Sequence, residues 1–196
     1  MIKLASVIGL FLLLTSCQIT TVNLNTDLKD YNVQLYLKEY TPKFSGPIPV
    51  YKGRKMCLAN IRNDAQNTTN FSYYSKDNKV QYLLSNQANT HIQLIPSFFW
   101  YAYQKAFEHA GIQTFPRCGT DMPELWIIFK SFDDEELRFR IALYENRETI
   151  VEKELTISLP PVENRSPEVL KNRAYEMIDL TITTILKDSG FQAGFI

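Results

Sequence analysis

Histidine and cysteine are scarce: the 196 residues include two histidines and three cysteines, with no spacing of the kind that holds zinc. No CxxC is present, which argues against dithiol redox chemistry. The seven glycines are scattered and form neither GxxxxGK nor GxGxxG, so no phosphate-cradling loop is expected. GxSxG, the nucleophile elbow of α/β hydrolases, is missing too. No apolar run reaches the roughly 20 residues that a membrane-spanning helix needs. Charge of one sign is not in excess either: 21 basic side chains balance 21 acidic ones, whereas a dedicated nucleic-acid binder usually carries a basic stripe. His91 and His109 stand in polar surroundings without a nucleophile beside them. Asp133-Asp134-Glu135-Glu136 lacks the spacing and central glycine of a calcium loop and reads as a solvated turn. The expectation is a chain with no catalytic residues, no metal, no cofactor and no nucleic-acid partner.

What is present begins at the N-terminus. Lys3 precedes a largely apolar run, Leu4 to Leu14, and small or polar residues then lead to Cys17. A positive residue, a short apolar core and a small-residue end describe a secretory signal, here residues 1–16. Leu14-Thr15-Ser16-Cys17 resembles the bacterial lipobox. That resemblance implies a diacylglycerol on the Cys17 sulfur, cleavage just before it, and acylation of the new terminus. Two or more acyl chains make a stable anchor where one holds only marginally. Gln18, not aspartate, follows the cysteine, which by the same resemblance points to the outer membrane and its periplasmic face.

With Cys17 carrying lipid, Cys57 and Cys118 are left as an even pair in an oxidising compartment. They are either one disulfide, worth ~4 kcal/mol in the chain-entropy model, or two buried thiols.

Residues 17–50 are rich in Thr, Asn, Lys and Asp and contain three prolines, so they read as a lipidated terminus and tether, with one edge-strand alternation at Val33 to Leu37. Residues 51–196 read as one domain. Strands are expected at 55–61, 71–74, 80–84 and 112–115, followed by a three-strand meander between Leu125 and Leu159. Ile95, Phe99, Tyr103 and Phe107 recur at helical spacing, with Pro96 in the first turn and Gly111 beyond the end. Phe98, Trp100 and Tyr101 lie off that stripe. They are either further core or, with Phe99, a patch facing a partner or a lipid. A last helix starts at Ser166-Pro167-Glu168, buries Leu170, Ala174, Met177, Thr181 and Ile185, and has Gly190 as its expected stop. The class is α+β: a mostly antiparallel sheet with two helices packed on it.

The lipobox, the helix ending FEHAGI, the VQYLLSNQ segment and the meander ELWIIFKSFDDEELRFRIALYENRETIVEKELTI together resemble a known family over about residues 55 to 188. It is the PqiC-like auxiliary lipoproteins of ABC-type lipid transport systems, which work with MCE-domain proteins between the two membranes of Gram-negative bacteria. The YajG-like small lipoproteins share the same order. Neither resemblance brings catalytic residues; only Cys17 maps onto a defined position. What it implies is a non-catalytic outer-membrane lipoprotein that docks a periplasmic protein partner. Direct phospholipid binding by Phe98, Phe99 and Trp100, or a structural role in the envelope, are the alternatives.

Overall fold

The computed structural model describes residues 28–75, 77–85, 94–119 and 122–195. The signal segment, Cys17 and Gln18 lie outside the described residues. The strands are β1 (Lys29–Tyr36), β2 (Arg54–Leu58), β3 (Arg62–Asn63), β4 (Ser72–Ser75), β5 (Asn78–Ser85), β6 (Ile112–Phe115), β7 (Glu124–Phe132), β8 (Glu136–Glu145) and β9 (Glu148–Ser158). The helices are α1 (Ile95–Ala110), α2 (Pro167–Lys187) and the short α3 (Ser189–Ala193).

The strictest alternation in the sequence becomes the middle of the meander. On β8, Leu137, Phe139, Ile141 and Leu143 are fully buried, while Arg138 is exposed. Antiparallel pairing with β7 and β9 places Leu125, Ile127 and Phe129, and then Val151, Leu155 and Ile157, on the same inward face. The turn between β8 and β9 has positive φ at both Asn146 (51°) and Arg147 (70°), matching the twist of a tight hairpin. The larger sheet runs β6-β2-β7-β8-β9, and β3 continues along β7 beyond the end of β2. A smaller sheet runs β1-β5-β4.

Helix α1 buries its whole expected stripe, with Ala102, Ala106 and Ala110 filling the gaps between the rings. It stops at Gly111, whose φ of 102° is the left-handed conformation that favours glycine. A Cβ there would also stand 3.2 Å from the Lys52 backbone, a second reason for glycine. Helix α2 starts where the Ser166 hydroxyl accepts from the Val169 N–H, and it packs against α1, β1 and β9. Aromatic rings join the layers: Phe99 meets Phe129 and Phe132 edge-on at 5.5 and 5.2 Å.

The class is α+β, and the hairpins lie where the local pattern places them. The long-range pairings are parallel: β1 with β5, β2 with β6 and β7, and β3 with β7. Two expectations need correction. Residues 17–50 are not a tether throughout, because β1 pairs with β5 from Lys29↔Asn78 to Tyr36↔Ser85 and buries Val33 and Leu35. The segment after β1 is a strap. Tyr40 is fully buried, the Ile48 N–H donates to Ala110 O at 2.8 Å, and the Tyr51 hydroxyl donates to Leu186 O at 2.7 Å. The polar residues that suggest a tether are the exposed half of that strand and strap. Gly190 is also not the stop of α2: the helix ends at Lys187, and Asp188 caps α3 by accepting from the Phe191 N–H, so Gly190 sits inside α3.

Candidate functional site

The helices cover the inward face of the larger sheet, and on β7 Glu124, Trp126 and Ile128 point the other way; past the bulge after Phe129 the parity reverses, and Phe132 turns inward. Register sets them in three rungs. Arg62 and Arg140 flank Ile128, Trp126 faces Ala142, and Glu124 faces Tyr144. Ala142 is the smallest side chain on this face, and it lies between Arg140 and Tyr144 on the same strand. The missing bulk leaves a cleft of about 500 Å³ above it. One wall is formed by Cys118, Gly119 and Met122; the turn residues Asn146 and Arg147 close one end.

Cys57, fully buried on β2, is disulfide-bonded to the exposed Cys118, with Cα atoms 5.1 Å apart. The bond holds the loop beside β7, because Cys57 pairs with Glu124 in the ladder.

Positive charge gathers at one end of the cleft. Arg140 Nη1 lies 2.9 Å from Glu152, while its Nε is buried without a hydrogen-bond partner. Arg62 lies 3.3 Å from Asp64, which also meets Lys130 at 3.1 Å. The Lys130 ammonium, helped by Arg62, holds the Asp64 carboxyl below its usual range. At the opposite end, Glu124 and Arg147 make no ion pair among the described residues.

Of the two readings of the aromatic cluster on α1, core and patch, core holds for Phe98 and Phe99, and no single aromatic surface assembles among the described residues. Phe98 and Phe99 are fully buried core residues. Trp100 is half-buried and donates its indole N–H to Leu58 O at 3.0 Å. Only Tyr101 is exposed, stacked edge-on against Trp100 at 4.9 Å. Local helical periodicity does not distinguish a ring that meets a sheet from one that meets solvent, so the neighbours decide the outcome.

A buried polar cluster lies at the turn from β7 to β8. Asp134 accepts from the Tyr73 hydroxyl at 2.9 Å and from Arg165 at 2.7 Å, and the Arg173 Nε donates to its carbonyl at 2.9 Å. Asp134 is thus not part of a solvated turn; it ties the hairpin, the meander and α2 together. These hydrogen bonds join separate elements, so the cluster reads as a structural tie, although Asp134 Oδ2 and Arg173 Nη2 are buried without a partner.

Sequence patterning alone does not single out the cleft, although it carries a signal of it. Trp126 and Ile128 are large apolar residues on the parity that β8 fills with arginine. A face that mixes bulky apolar and cationic groups is not an ordinary solvated face.

No family model matches the chain, and no curated protein matches it. Among solved structures, the fold is similar to that of protein XCC0632 from Xanthomonas campestris, described under the family model DUF330. The TM-score is 0.54 at 11% identity, covering 84% of this chain and 96% of that one. A crystal structure described as an uncharacterized protein matches with a TM-score of 0.41 at 9% identity, over 81% of this chain and 99% of that one. The likeness to XCC0632 is one of fold.

Proposed function

We propose that this chain is a non-catalytic lipoprotein of the cell envelope, anchored through Cys17 to the outer membrane, whose folded body docks a protein partner of a lipid transport system. The observation that carries the reading is the sequence Leu14-Thr15-Ser16-Cys17 ahead of a disulfide-bonded body. A disulfide fits an oxidising compartment, and a lipid on Cys17 fits a protein whose described helices include none long and apolar enough to cross a membrane. The stretch from Cys17 to Lys29 spans at most ~40 Å, so the body would work close to the bilayer. A partner could dock on a sheet edge or on the aromatic end of α1, and the sheet edge at β9 is guarded. Lys153 stands on its inward face, ion-paired with Asp188, between Glu152 and Glu154. Among the described residues, the Tyr101 end of α1 carries no such guard.

Radiolabelled palmitate should mark the wild type and not Cys17→Ser, and only the wild type should fractionate with the outer membrane. Crosslinking in intact cells should then join the lipidated chain to a component bearing an MCE domain. An unlabelled wild type sinks the anchor; labelling with no transport component captured sinks the docking half alone.

A further inference from the structure

We propose that the cleft on the outward face of β7 and β8 binds a small amphipathic anion: a carboxylate, phosphate or sulfonate on an apolar body. The anionic group sits between Arg62 and Arg140, and the apolar body lies over Ala142 against Trp126. This inference stands apart from the anchoring reading, since it needs only the folded chain.

Three observations lead to it. First, the hollow is built into the strand. Ala142 is buried at the bottom while its outward neighbours on β8 are Arg140 and Tyr144, so the floor dips by the length of a side chain. Its volume, about 500 Å³, suits a small ligand and not a macromolecular face. Second, the floor is apolar where it is deepest, and at one end Arg62, Arg140 and Lys130 outnumber Asp64 and Glu152 by one charge. Ile128 is almost fully buried between two arginines of adjacent strands. Guanidinium groups are the usual partners of carboxylate and phosphate, since their planar forks donate paired hydrogen bonds. Third, the Arg140 Nε–H is buried and unmatched although Nη1 already engages Glu152. A buried donor without a partner is costly, and turning the Arg140 guanidinium toward an anion in the cleft would relieve it. Trp126 adds a flat ring beside the hollow, suited to the apolar body of such a ligand. The disulfide at Cys118 holds the adjacent wall, so the site is largely preformed.

The test uses the full chain carrying Cys17→Ser, which presents no lipidation sulfur, and the probe anilinonaphthalene sulfonate, an aromatic anion that brightens in apolar sites. Saturable binding with one-to-one stoichiometry is expected, with energy transfer from tryptophan. Arg140→Gln and Arg62→Gln should each weaken binding about tenfold, as loss of a charged hydrogen bond predicts. Ala142→Leu should abolish it by filling the floor. Glu152→Gln frees Arg140 of its ion pair and should leave binding unchanged or tighter. That outcome separates the cleft from a general loss of folding, and thermal melts of every variant serve as the second measurement. Should Ala142→Leu fail to fold, the two arginine variants and Glu152→Gln still decide the matter. Competition then names the source of the ligand. Displacement by decyl phosphate at lower concentration than phenyl phosphate assigns a lipid-derived anion; the reverse assigns a soluble aromatic acid. The proposal is overturned by probe binding that ignores all three cleft variants, by no saturable binding, or by displacement only with an acidic peptide.

Discussion

Asp179 is an acid in a place that disfavours its charge. It lies on α2, 7% exposed, where Oδ1 accepts from the Tyr40 hydroxyl at 2.9 Å and from the Lys43 N–H at 3.3 Å, and Oδ2 is buried without a partner. Burial raises its pKa, and the two hydrogen bonds offset this only in part. A carboxyl whose folded-state pKa exceeds the unfolded value, about 3.9, holds its proton more tightly when folded. Stability is therefore greatest below that value, declines as pH rises toward the folded pKa, and is lowest above it. Asp179→Asn keeps the Oδ1 acceptor and removes the charge. Thermal melts from pH 4 to 8 should show it as stable as the wild type or more so at pH 7, with a flatter dependence on pH. Asp179→Ala leaves the buried Tyr40 hydroxyl unmatched and should lose about 1–3 kcal/mol. A drop as large for Asn as for Ala would place the cost in packing and not in charge. Asp188 is the counterexample a few residues on. Burial would raise it, yet the Lys153 ammonium and the Phe191 N–H outweigh burial and hold it low. Its contribution is present above the unfolded value and fades as pH falls through the folded one.

Helix α2 shows how much an element owes to its first residues. The Ser166 hydroxyl accepts from the Val169 N–H at 3.3 Å, Pro167 fits the first turn, and Glu168 faces the positive end of the helix dipole. Ser166→Ala should cost about 1 kcal/mol in urea unfolding, and Ser166→Asp should restore it. An unchanged midpoint for the alanine variant would mean that tertiary packing alone fixes where α2 begins. Such signals are local, and so are legible: the stripe of α1, its glycine stop and the alternation of β8 each lie within one stretch of chain. Strand β1 is the mixed case: the alternation at Val33 to Leu37 marks an edge strand, but not where it starts or what it pairs with. Its partner β5 lies some fifty residues on, in a parallel pairing that no turn announces, so Lys29, Asp30, Asn32 and Gln34 outweigh Val33 and Leu35 in the local pattern. Gly190 has the right residue type for a stop, but Asp188, two positions earlier, is already the cap of α3. Counting nominates the Cys57–Cys118 pair, yet the alternative of free thiols is excluded only by a Cα separation, which depends on β2 and β6 being neighbours. The cleft is harder still: it depends on Ala142 sitting opposite Trp126, a matter of register between strands.

At the scale of the molecule, the disulfide joins parts that the ladder only partly connects. Cys57 sits in the strand where β6 and β7 flank β2, and Cys118 opens the loop leading from β6 back to β7. The bond closes a sequence separation of 61, which in the chain-entropy model removes ~4 kcal/mol of freedom from the unfolded chain. Against a typical total of about 5–15 kcal/mol for a domain, that is a large share. The paired replacement Cys57→Ser and Cys118→Ser should therefore lower the urea midpoint sharply. Its unfolding slope should also steepen, because an unfolded chain without the crosslink exposes more surface. Part of the loss would come from the folded side: Cys57 is fully buried, and a serine hydroxyl there needs a partner. Cys118 is exposed, so Cys118→Ser with Cys57→Ala removes the same bond with a smaller polar penalty, and the difference between the two pairs separates crosslink from burial. Wild type in reductant should then match the Ala-containing pair. If both pairs melt with the oxidised wild type, the bond contributes nothing to stability, and the disulfide ceases to support an oxidising compartment as the setting in which this fold is used.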